Sequence, residues 1–575
     1  MKRTIVLLLA LALVLTALPC GVFADETDQY FAGKGTKDEP YLIQTPADLA
    51  TLVYLTTDYD NGYYDTSADY TIPGTTTVWP ASGAFGKAGY YCGRYSSPSA
   101  IRYYKMTADL DMTGYDFNKG GIGEGMDFRG SFDGDGHVIK NWTSTSSGGK
   151  QNNGIFAVAG FGNVSGQGIR NVGVENASVT SDKFISGVLV GYLSSIGTVE
   201  DVAVENCYVK NSSSRIMTRD TAPSNGGVVG CLKFESGSAT SITVKNCYAE
   251  GISLLNSDGA DGRQPDYAGI VARIWHNWNN ANKAYISNCY SLGTTTNDYL
   301  QPVGAVPGTT EHATFSFTDC YSLSANGTDW SKWESGTSSL APVATETNLL
   351  APTAASFTGG TFVDDVLELN GGLPVFSWEY TYITNTLAAT ENGTLDVTEE
   401  TGLVKKSGNT VYIKTGADLT VTAEPSENYT LSAVKYGGED KTSAFGISGS
   451  AKFAFSDLTD NGVWSAEFKE NAAEPSIIAD KTVTVTTYGE DAVPAAVAYA
   501  KFSGLNPFEY GMVITRTSDG KALTLKAADN KNGAYAIKVY GEGVNEGNFT
   551  MKPYYVADEG SSAAYGDETD SFTLE

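Results

Sequence analysis

The chain has 575 residues, a formal net charge of −28, 64 glycines and 34 tyrosines. The negative charge argues against binding of nucleic acid or anionic lipid, because neither finds a basic patch for its phosphates. Frequent Gly, Tyr, Thr and Ser, with little that looks helical, predict an all-β protein rich in turns. The length predicts three or four domains.

The first residues predict a secretory signal peptide over residues 1–24. Lys2 and Arg3 precede a long apolar run, and small residues stand before Asp25, which is the pattern of a cleaved leader. No later stretch is apolar enough for long enough to cross a bilayer. We therefore expect a secreted protein, extracellular or associated with the cell surface, without a transmembrane segment.

A short helix is predicted over PADLATLVYL, residues 46–55. Thr45 offers a hydroxyl cap, Pro46 stands at the first helical position and Asp48 places an acid in the first turn. Such a helix would cover the unpaired strand edges at the start of the following β-structure. A Tyr- and Gly-rich insert over about 55–102 comes next, and we expect it to fold over one flank.

Four acidic residues and one arginine are the candidates for catalysis. They are Asp109, Asp111, Asp133, Asp135 and Arg129. Carboxylates cleave glycosidic bonds when they are held at a definite separation, and carboxylates such as Asp133 and Asp135 can also bind calcium. For Asp133 and Asp135, a structural turn between glycines is the alternative. A structural role is the interpretation that we adopt for all four acids.

Other catalytic and metal motifs are missing from the sequence. The three histidines, His137, His276 and His312, have no metal-binding spacing, and no G-x-S-x-G motif occurs. We therefore predict no catalytic residue, no metal ligand and no cofactor, with calcium at the acidic turn as the remaining alternative.

Two short motifs repeat along the middle of the chain. A glycine followed by apolar residues occurs at Gly154, Gly187, Gly227, Gly269 and Gly304, in steps of 33, 40, 42 and 35 residues. A five-residue frame occurs as VENCY at 204–208, VKNCY at 244–248, ISNCY at 286–290 and FTDCY at 317–321, with VENAS at 174–178 aligned as an earlier copy. A period of this size, built from short β-type runs, predicts the stacked coils of a parallel β-helix.

The cysteines of the frame are predicted to be buried. A turn at Asn206 would let both Val204 and Cys207 point into the core, while Glu205 faces water. The predicted ladder of small inward side chains consists of Ala177, Cys207, Cys247, Cys289 and Cys320. A free cysteine packs as a small apolar residue. A disulfide and a metal site stay open as alternatives, although no C-x-x-C spacing favours a metal.

The loop ARIWHNWNN at 272–280 is the predicted ligand-binding site. It places Trp275, His276 and Trp278 in a polar, Asn-rich turn, where exposed aromatic rings could stack on a sugar or a partner surface. The alternative is that both tryptophans cover the flank of the coils or a neighbouring loop.

These repeats resemble those of the GLUG-motif proteins of bacterial cell surfaces. The resemblance extends to GTKDEPYLIQTPADLATL at 35–52, YYKMTADLDMTG at 103–114, FRGSFDGDGHVIKNW at 128–142 and FVDDVLELNGGLPVFSWEY at 362–380. It covers residues about 30–380. It implies that residues 25–382 form a capping segment followed by a right-handed parallel β-helix.

After Tyr380 the strands become longer and the glycine motif stops. Residues 383–470 resemble the internalin-type B repeat, and residues 475–575 resemble an immunoglobulin or fibronectin-like sandwich. We therefore predict two small β-sandwich or β-grasp-like domains, with a linker at 471–476.

Together these features predict a secreted, non-catalytic bacterial protein that acts in adhesion. Its expected partner is a polysaccharide or a host or bacterial surface protein. A polysaccharide lyase or glycoside hydrolase is the alternative and would require a cleft with convergent acids. A structural stalk is the second alternative and would require no binding patch.

Overall fold

The computed structural model describes most of the chain from residue 30 onward. The described ranges are 30–56, 70–71, 78–79, 92, 101–146, 152–162, 164–197, 202–217, 223–235, 241–256, 266–275, 282–295, 303–305, 314–323, 329–335, 342–470, 476–490, 492–504, 506–541 and 547–574. The chain divides into two compact units, Met1–Val363 and Asp364–Glu575. The fold is nearly all β, with many parallel strand pairs in the first unit.

The first unit contains one α-helix, α1 (Pro46–Thr56), among its described residues. Its strands are β1 (Tyr41–Ile43), β2 (Tyr70–Thr71), β3 (Val78–Trp79), β4 (Tyr103–Met106), β5 (Leu110–Asp111), β6 (Asp116–Phe117), β7 (Ser131–Lys140), β8 (Thr143–Thr145), β9 (Asn152–Asn153), β10 (Phe156–Phe161), β11 (Gly168–Glu175), β12 (Ser178–Ser181), β13 (Ile185–Gly187), β14 (Val190–Ser195), β15 (Val202–Lys210), β16 (Ser213–Ile216), β17 (Ser224–Gly226), β18 (Val229–Phe234), β19 (Ser241–Asn256), β20 (Asp266–Ala268), β21 (Val271–Trp275), β22 (Lys283–Thr295), β23 (Val303–Ala305), β24 (Thr314–Leu323), β25 (Trp330–Ser335), β26 (Pro342–Leu349) and β27 (Phe362–Val363).

Each repeat contributes strands to three parallel sheets. The largest sheet contains the series β1, β4, β7, β11, β15, β19, β22 and β24, in which each strand pairs in parallel with the next. A second sheet has the order β10-β14-β18-β21-β23 and a third β9-β13-β17-β20. Within these three sheets a strand therefore lies beside its counterpart one repeat later, and we call each such repeat a coil. The buried apolar side chains of the first two sheets meet in one core, and Tyr267 of the third sheet packs against it.

Close backbone approach explains the glycine motif. A Cβ atom on Gly187 would lie 2.1 Å from the carbonyl oxygen of Val190 and 2.5 Å from the nitrogen of Gly230. Any larger residue would force neighbouring coils apart, because these contacts are with backbone atoms that cannot rotate away.

An asparagine stands at the same turn of successive coils. Asn171, Asn206, Asn246 and Asn288 have φ between 52° and 53°, and Asp319 has φ 49°. The left-handed conformation is tolerated by Asn and Asp better than by other residues that carry a Cβ. We call the first four residues and Asp133 the amide ladder, because their side chains are linked by hydrogen bonds.

The amide ladder donates in one direction along the coils. Asn288 Nδ2 donates to Asn246 Oδ1 (3.1 Å), Asn246 to Asn206 (3.0 Å), and Asn206 to Asn171 (2.9 Å). Asn171 Nδ2 donates to Asp133 Oδ1 at 2.9 Å. Each turn is thus tied to the turn before it by a side-chain hydrogen bond in addition to the backbone pairing.

The left-handed turn points both flanking apolar residues inward. Val204 and Cys207 both belong to the main core. In a regular strand, residues three positions apart would point to opposite faces of the sheet. The predicted turn at Asn206 is confirmed by its φ of 53°.

The four cysteines of the frame lie in register on neighbouring strands. Cys207 pairs with Cys247, Cys247 with Cys289, and Cys289 with Cys320. The Cys247 Sγ donates to the carbonyl oxygen of Lys245 at 3.2 Å, and the other three thiols make the same contact with the carbonyl two residues earlier. A cysteine here combines a small buried side chain with a weak donor.

The predicted place of Ala177 in this ladder is wrong. Arg170 lies opposite Glu205 and Gly173 opposite Tyr208, so Val172 occupies the position opposite Cys207. The backbone amide of Ala177 instead donates to Ser212 Oγ at 2.9 Å. The coil that contains Ala177 has two left-handed residues, Asn171 (φ 53°) and Asn176 (φ 56°), and the letters VEN at 174–176 belong to the second turn.

Helix α1 forms as predicted and packs onto the first coil. Asp48 Oδ2 accepts from the Thr45 amide at 2.8 Å, and the Asp48 amide donates to Thr45 Oγ1 at 3.3 Å, which caps the first turn. Leu49, Leu52 and Val53 are buried in the main core.

The last parallel strand of the coils is followed by antiparallel strands. Strand β24 pairs with β25, and β25 pairs with β26. No helix in the described ranges has the length and hydropathy that a membrane crossing needs.

The second unit contains only strands and short 3-10 turns among its described residues. The strands are β28 (Val375–Phe376), β29 (Tyr382–Leu387), β30 (Gly393–Val397), β31 (Val404–Ser407), β32 (Thr410–Lys414), β33 (Leu419–Pro425), β34 (Tyr429–Tyr436), β35 (Glu439–Asp440), β36 (Ser450–Phe453), β37 (Gly462–Glu470), β38 (Ser476–Ala479), β39 (Thr484–Tyr488), β40 (Val493–Ser503), β41 (Glu509–Arg516), β42 (Ala522–Lys526), β43 (Ala534–Tyr540), β44 (Gly547–Val556), β45 (Ala564–Tyr565) and β46 (Phe572–Leu574).

These strands enclose two separate apolar cores. The middle module, residues 382–470, combines the sheet β31-β32-β29-β37-β34-β35 with the sheet β30-β33-β36. The C-terminal module, residues 476–574, combines a sheet of β38, β39, β40 and β43 with a sheet of β41, β42, β44, β45 and β46. The predicted linker lies almost wholly outside the described residues.

The two modules of the second unit contact each other through polar groups. Lys531 Nζ lies 2.5 Å from Glu424 Oε1, and Asn532 Nδ2 donates to the Pro425 carbonyl at 2.9 Å. The Ile447 amide donates to Asp480 Oδ1 of the C-terminal module at 2.6 Å.

Replacement of Asn246 tests the amide ladder. Asn246→Ala should destabilise the surrounding coils by about 3 kcal/mol, with about 1 kcal/mol for each of two lost hydrogen bonds and about 1 kcal/mol for the left-handed backbone. Asn246→Gly loses the hydrogen bonds without the backbone strain, so its cost should be smaller by about 1 kcal/mol. Hydrogen exchange of residues 202–295, measured by mass spectrometry, reports both values. Equal exchange in the two variants would contradict the strain argument.

Thiol titration tests the cysteine ladder. The six cysteines of the described chain are buried and free, and burial raises the pKa of Cys207, Cys247 and Cys289. In protein expressed from residue 25 without reductant, an aromatic disulfide reagent at pH 8 should label no thiol in the native state and six in denaturant. Fewer than six in denaturant would reveal a disulfide and contradict the free ladder.

Candidate functional site

Trp275 is an exposed aromatic residue on the outer face of a parallel sheet. It ends strand β21, where its neighbour Ile274 points into the core and the indole points away from it. Its side chain is 45% exposed. The predicted partners His276 and Trp278 lie outside the described residues.

Two side chains from neighbouring strands form a row with this indole. Lys233 on β18 is paired with Trp275 in the strand register, and its Nζ lies 4.9 Å from the centre of the indole ring. The same Nζ lies 5.8 Å from the ring centre of Tyr192 on β14. We call Tyr192, Lys233 and Trp275 the aromatic row. A cation between two rings holds both of them in place.

Charged residues at the margin of the aromatic row balance one another. Lys233 Nζ lies 3.0 Å from Glu235 Oε1, and the Tyr192 hydroxyl donates to the same carboxylate. Arg273 Nε donates to Asp266 at 2.5 Å. The surface therefore offers flat rings and polar groups without a net charge, an arrangement that suits a neutral sugar better than a polyanion.

Titration does not disturb this arrangement near neutral pH. Burial raises the pKa of Tyr192, and its hydrogen bond to Glu235 raises it further. Burial also raises the pKa of the Cys231 thiol, which lies between Tyr192 and Arg273 in the register, to about 12. Both groups stay protonated and neutral, so neither is an activated nucleophile or base.

Asp109, the first of the candidate catalytic acids, is held in ion pairs. Its carboxylate lies 3.1 Å from Lys140 Nζ and 3.4 Å from His137 Nδ1, and it accepts from the Val138 amide at 3.1 Å. Burial raises the pKa of Asp109, but the hydrogen bonds from Lys140 and Val138 outweigh this effect and leave the pKa below its usual value. A general acid needs a raised pKa.

Asp111 is also held as a carboxylate. Hydrogen bonds from the Thr113 hydroxyl (2.6 Å) and from Asn141 Nδ2 (2.8 Å) lower the pKa of Asp111 to about 2. It fixes a turn, which is the structural interpretation that the sequence favoured.

Asp133 and Asp135 belong to a tight turn in strand β7. Asp133 Oδ1 accepts from the Asp135 amide and from Asn171 Nδ2, both at 2.9 Å. Asp135 has φ 51° and forms an ion pair with Lys105 at 2.9 Å. The structure therefore uses both carboxylates in contacts within the coils.

Within the described chain, Arg129 forms no ion pair with any of the four candidate acids. Its guanidinium lies 2.9 Å from Asp127 instead. Within the described ranges, no group of three or more His, Cys, Asp and Glu side chains is arranged to hold a metal ion.

The sequence missed two members of the aromatic row. Tyr192 and Lys233 lie 41 residues apart, and each follows a Gly-apolar motif in its own repeat. An alignment that placed Tyr192, Cys231 and Arg273 in one column would have brought Lys233 and Trp275 into the next outward column. The signal was present in the repeats but not in any one of them.

Comparisons with known proteins add little. No protein-family model matches the chain, and no curated protein matches it. Among solved structures, this chain is similar to a "putative immunoglobulin A1 protease" from Bacteroides ovatus. The alignment covers 60% of this chain and 94% of that protein, with 20% sequence identity and a TM-score of 0.30. A likeness at that TM-score carries no argument about fold or activity.

Asp109→Asn tests the role of the ion-paired carboxylate. The folded-state pKa of Asp109 is lowered, so its carboxylate stabilises the fold above the ordinary aspartate pKa of about 4, and this stabilisation is lost as the pH falls through the lower folded-state pKa. We expect a loss of about 1 kcal/mol or less near pH 7, since the group is half exposed, and no difference from the parent at the acid end.

Calorimetric unfolding from pH 7 to pH 2 measures this difference. Asp529→Asn is the control, because Asp529 is exposed and forms no ion pair within the described chain. A destabilisation of Asp109→Asn that persisted unchanged at pH 2 would show that the carboxylate is not its source.

Proposed function

We propose that this chain is a secreted, non-catalytic bacterial surface protein that binds polysaccharide, in the manner of an adhesin. The observation that carries the proposal is the exposed indole of Trp275, with Lys233 Nζ 4.9 Å from its ring centre and 5.8 Å from that of Tyr192. Rings presented in this way stack on the apolar faces of sugars, and adjacent carboxylate and guanidinium groups can bind hydroxyls.

We further propose that the first unit is a right-handed parallel β-helix related to the GLUG-motif proteins. Three parallel sheets in which each strand pairs with its counterpart one repeat later support this proposal, as does the helix that packs onto the first coil. In this architecture the outer faces of successive coils form long surfaces, which suit a polymer better than a small molecule. The two modules of the second unit would then be spacer or adhesive domains.

The arrangement of the acids supports binding over catalysis. Asp109 and Asp111 have lowered pKa values and accept hydrogen bonds from neighbouring residues, and neither is placed as a proton donor. A polysaccharide lyase or hydrolase would need a different set of residues from the one that the sequence nominated.

Affinity electrophoresis on a panel of soluble polysaccharides tests this function. The chain from residue 25 should be retarded by at least one neutral polysaccharide, and Trp275→Ala should weaken that binding about ten-fold, which corresponds to about 1.4 kcal/mol of lost stacking. Tyr565→Ala is the matched control, because Tyr565 is an exposed aromatic residue of the second unit, 54% exposed.

Two outcomes would contradict the proposal. Equal retardation of Trp275→Ala and Tyr565→Ala would dismiss the aromatic row as the binding site. Shortened polysaccharide products, detected by mass spectrometry after incubation, would show that the protein is an enzyme.

A further inference from the structure

The C-terminal module has one open side between its two sheets. A cleft of about 670 Å³ is lined by residues of strands β42 and β43, among them Leu523, Leu525 and Val539. In the described part of the chain, β42 pairs only with β41 and β43 only with β40. Each of these two strands is therefore the edge of its sheet on the side of the cleft.

Two core-facing leucines line this edge, of which Leu523 is exposed and Leu525 is partly buried. Leu523 lies opposite Ile514 and Leu525 opposite Met512, so they share the face on which Ile514 and Met512 are buried in the core. Leu523 is nevertheless 55% exposed. The opposing sheet ends at β43 in the described chain and leaves Leu523 exposed.

The outer side of the same edge is basic and aromatic. Lys538 points away from the core, with its Nζ 3.9 Å from the ring centre of Tyr488, and it forms no ion pair within the described residues. Arg516 and Lys521 also line the cleft, and both lie 3.5 Å from the single carboxylate of Asp519. Among the described residues that line the cleft, Arg516, Lys521 and Lys538 are cations and none is a carboxylate, in a chain whose net charge is −28.

We propose that the edge of β43 binds an extended strand of a partner protein in which apolar and acidic side chains alternate. The added strand pairs with Ala534–Tyr540 through backbone hydrogen bonds. Its apolar side chains lie inward over Leu523 and Leu525, and an acidic side chain on its outer face lies beside Lys538.

A peptide strand fits these features better than an acidic polysaccharide does. A sugar chain would satisfy the cations, but it offers no regular row of amide and carbonyl groups for the free edge of β43. It would also leave the leucines exposed to water. This site is independent of the aromatic row in the first unit, so either proposal can fail alone.

The test uses the full chain from residue 25 and a fluorescent, acetylated seven-residue peptide of alternating valine and glutamate. Fluorescence anisotropy should show saturable binding, and hydrogen exchange should show new protection over residues 534–540. Lys538→Glu should weaken binding about ten-fold, and a peptide with lysine in place of glutamate should prefer that variant. Leu523→Ser should weaken binding of both peptides, and its exposed position keeps the fold intact.

Several results would overturn the proposal. An N-methylated peptide, blocked at alternate amides, should not bind, and undiminished binding would exclude strand addition. Polygalacturonate that binds in a Lys538-dependent way while the peptide does not would identify a sugar site. Self-association in sedimentation velocity that Lys538→Glu abolishes would identify the edge as an interface between copies of this chain.

Discussion

The first unit depends on one left-handed residue at the same turn of successive coils. Asn206, Asn246 and Asn288 meet two requirements at once, because asparagine tolerates positive φ and its amide both donates and accepts. The side chain that permits the turn is therefore also the one that fixes the next coil in register.

The direction of the hydrogen bonds accounts for the aspartate at the start of the ladder. Every asparagine donates to the preceding coil, so the first position only needs to accept, and a carboxylate at Asp133 does this. At the other end, the Asn288 oxygen accepts from the Thr358 amide at 3.2 Å, and Asp319 accepts from the Thr358 hydroxyl at 2.6 Å. Asp133, a candidate for catalysis or calcium binding in the sequence, is thus one end of a structural network.

A fixed register also sorts the aromatic residues into two rows with different fates. Tyr208, Tyr248 and Tyr290 follow the cysteines and point outward, with ring centres 5.1 and 4.7 Å apart and nearly parallel planes. Phe357 and Phe362 pack against this stack and bury it. The row of Tyr192 and Trp275, on another sheet, has no such cover over its indole among the described residues, which is why it stands out as a binding surface.

The sequence predicted α1, the turn at Asn206 and Trp275 as a candidate exposed aromatic residue, because each is signalled within a few residues. It placed Ala177 wrongly because VEN ends at the second left-handed residue of one coil, Asn176, and at the first of the next coil, Asn206, so the matching letters are not in register. It missed Lys233, because a contact between coils is visible only once the register is known.

The strand edges of the two units differ. The ends of the parallel series in the first unit are covered, whereas the edge of β43 in the second unit is open in the described chain. At the first coil α1 packs onto the core, and the Thr56 hydroxyl accepts from the Gly123 amide at 3.0 Å in a buried contact. At the last coil the antiparallel strands β25 and β26 follow β24, so that its parallel series ends inside the unit. Free edges invite pairing with other chains unless they are covered or charged. In the C-terminal module the edge of β43 carries a charge, yet Lys538 stands beside apolar residues that are themselves uncovered. A lysine that only prevented strand pairing would not need apolar residues beside it. A site for a strand with alternating apolar and acidic side chains needs both.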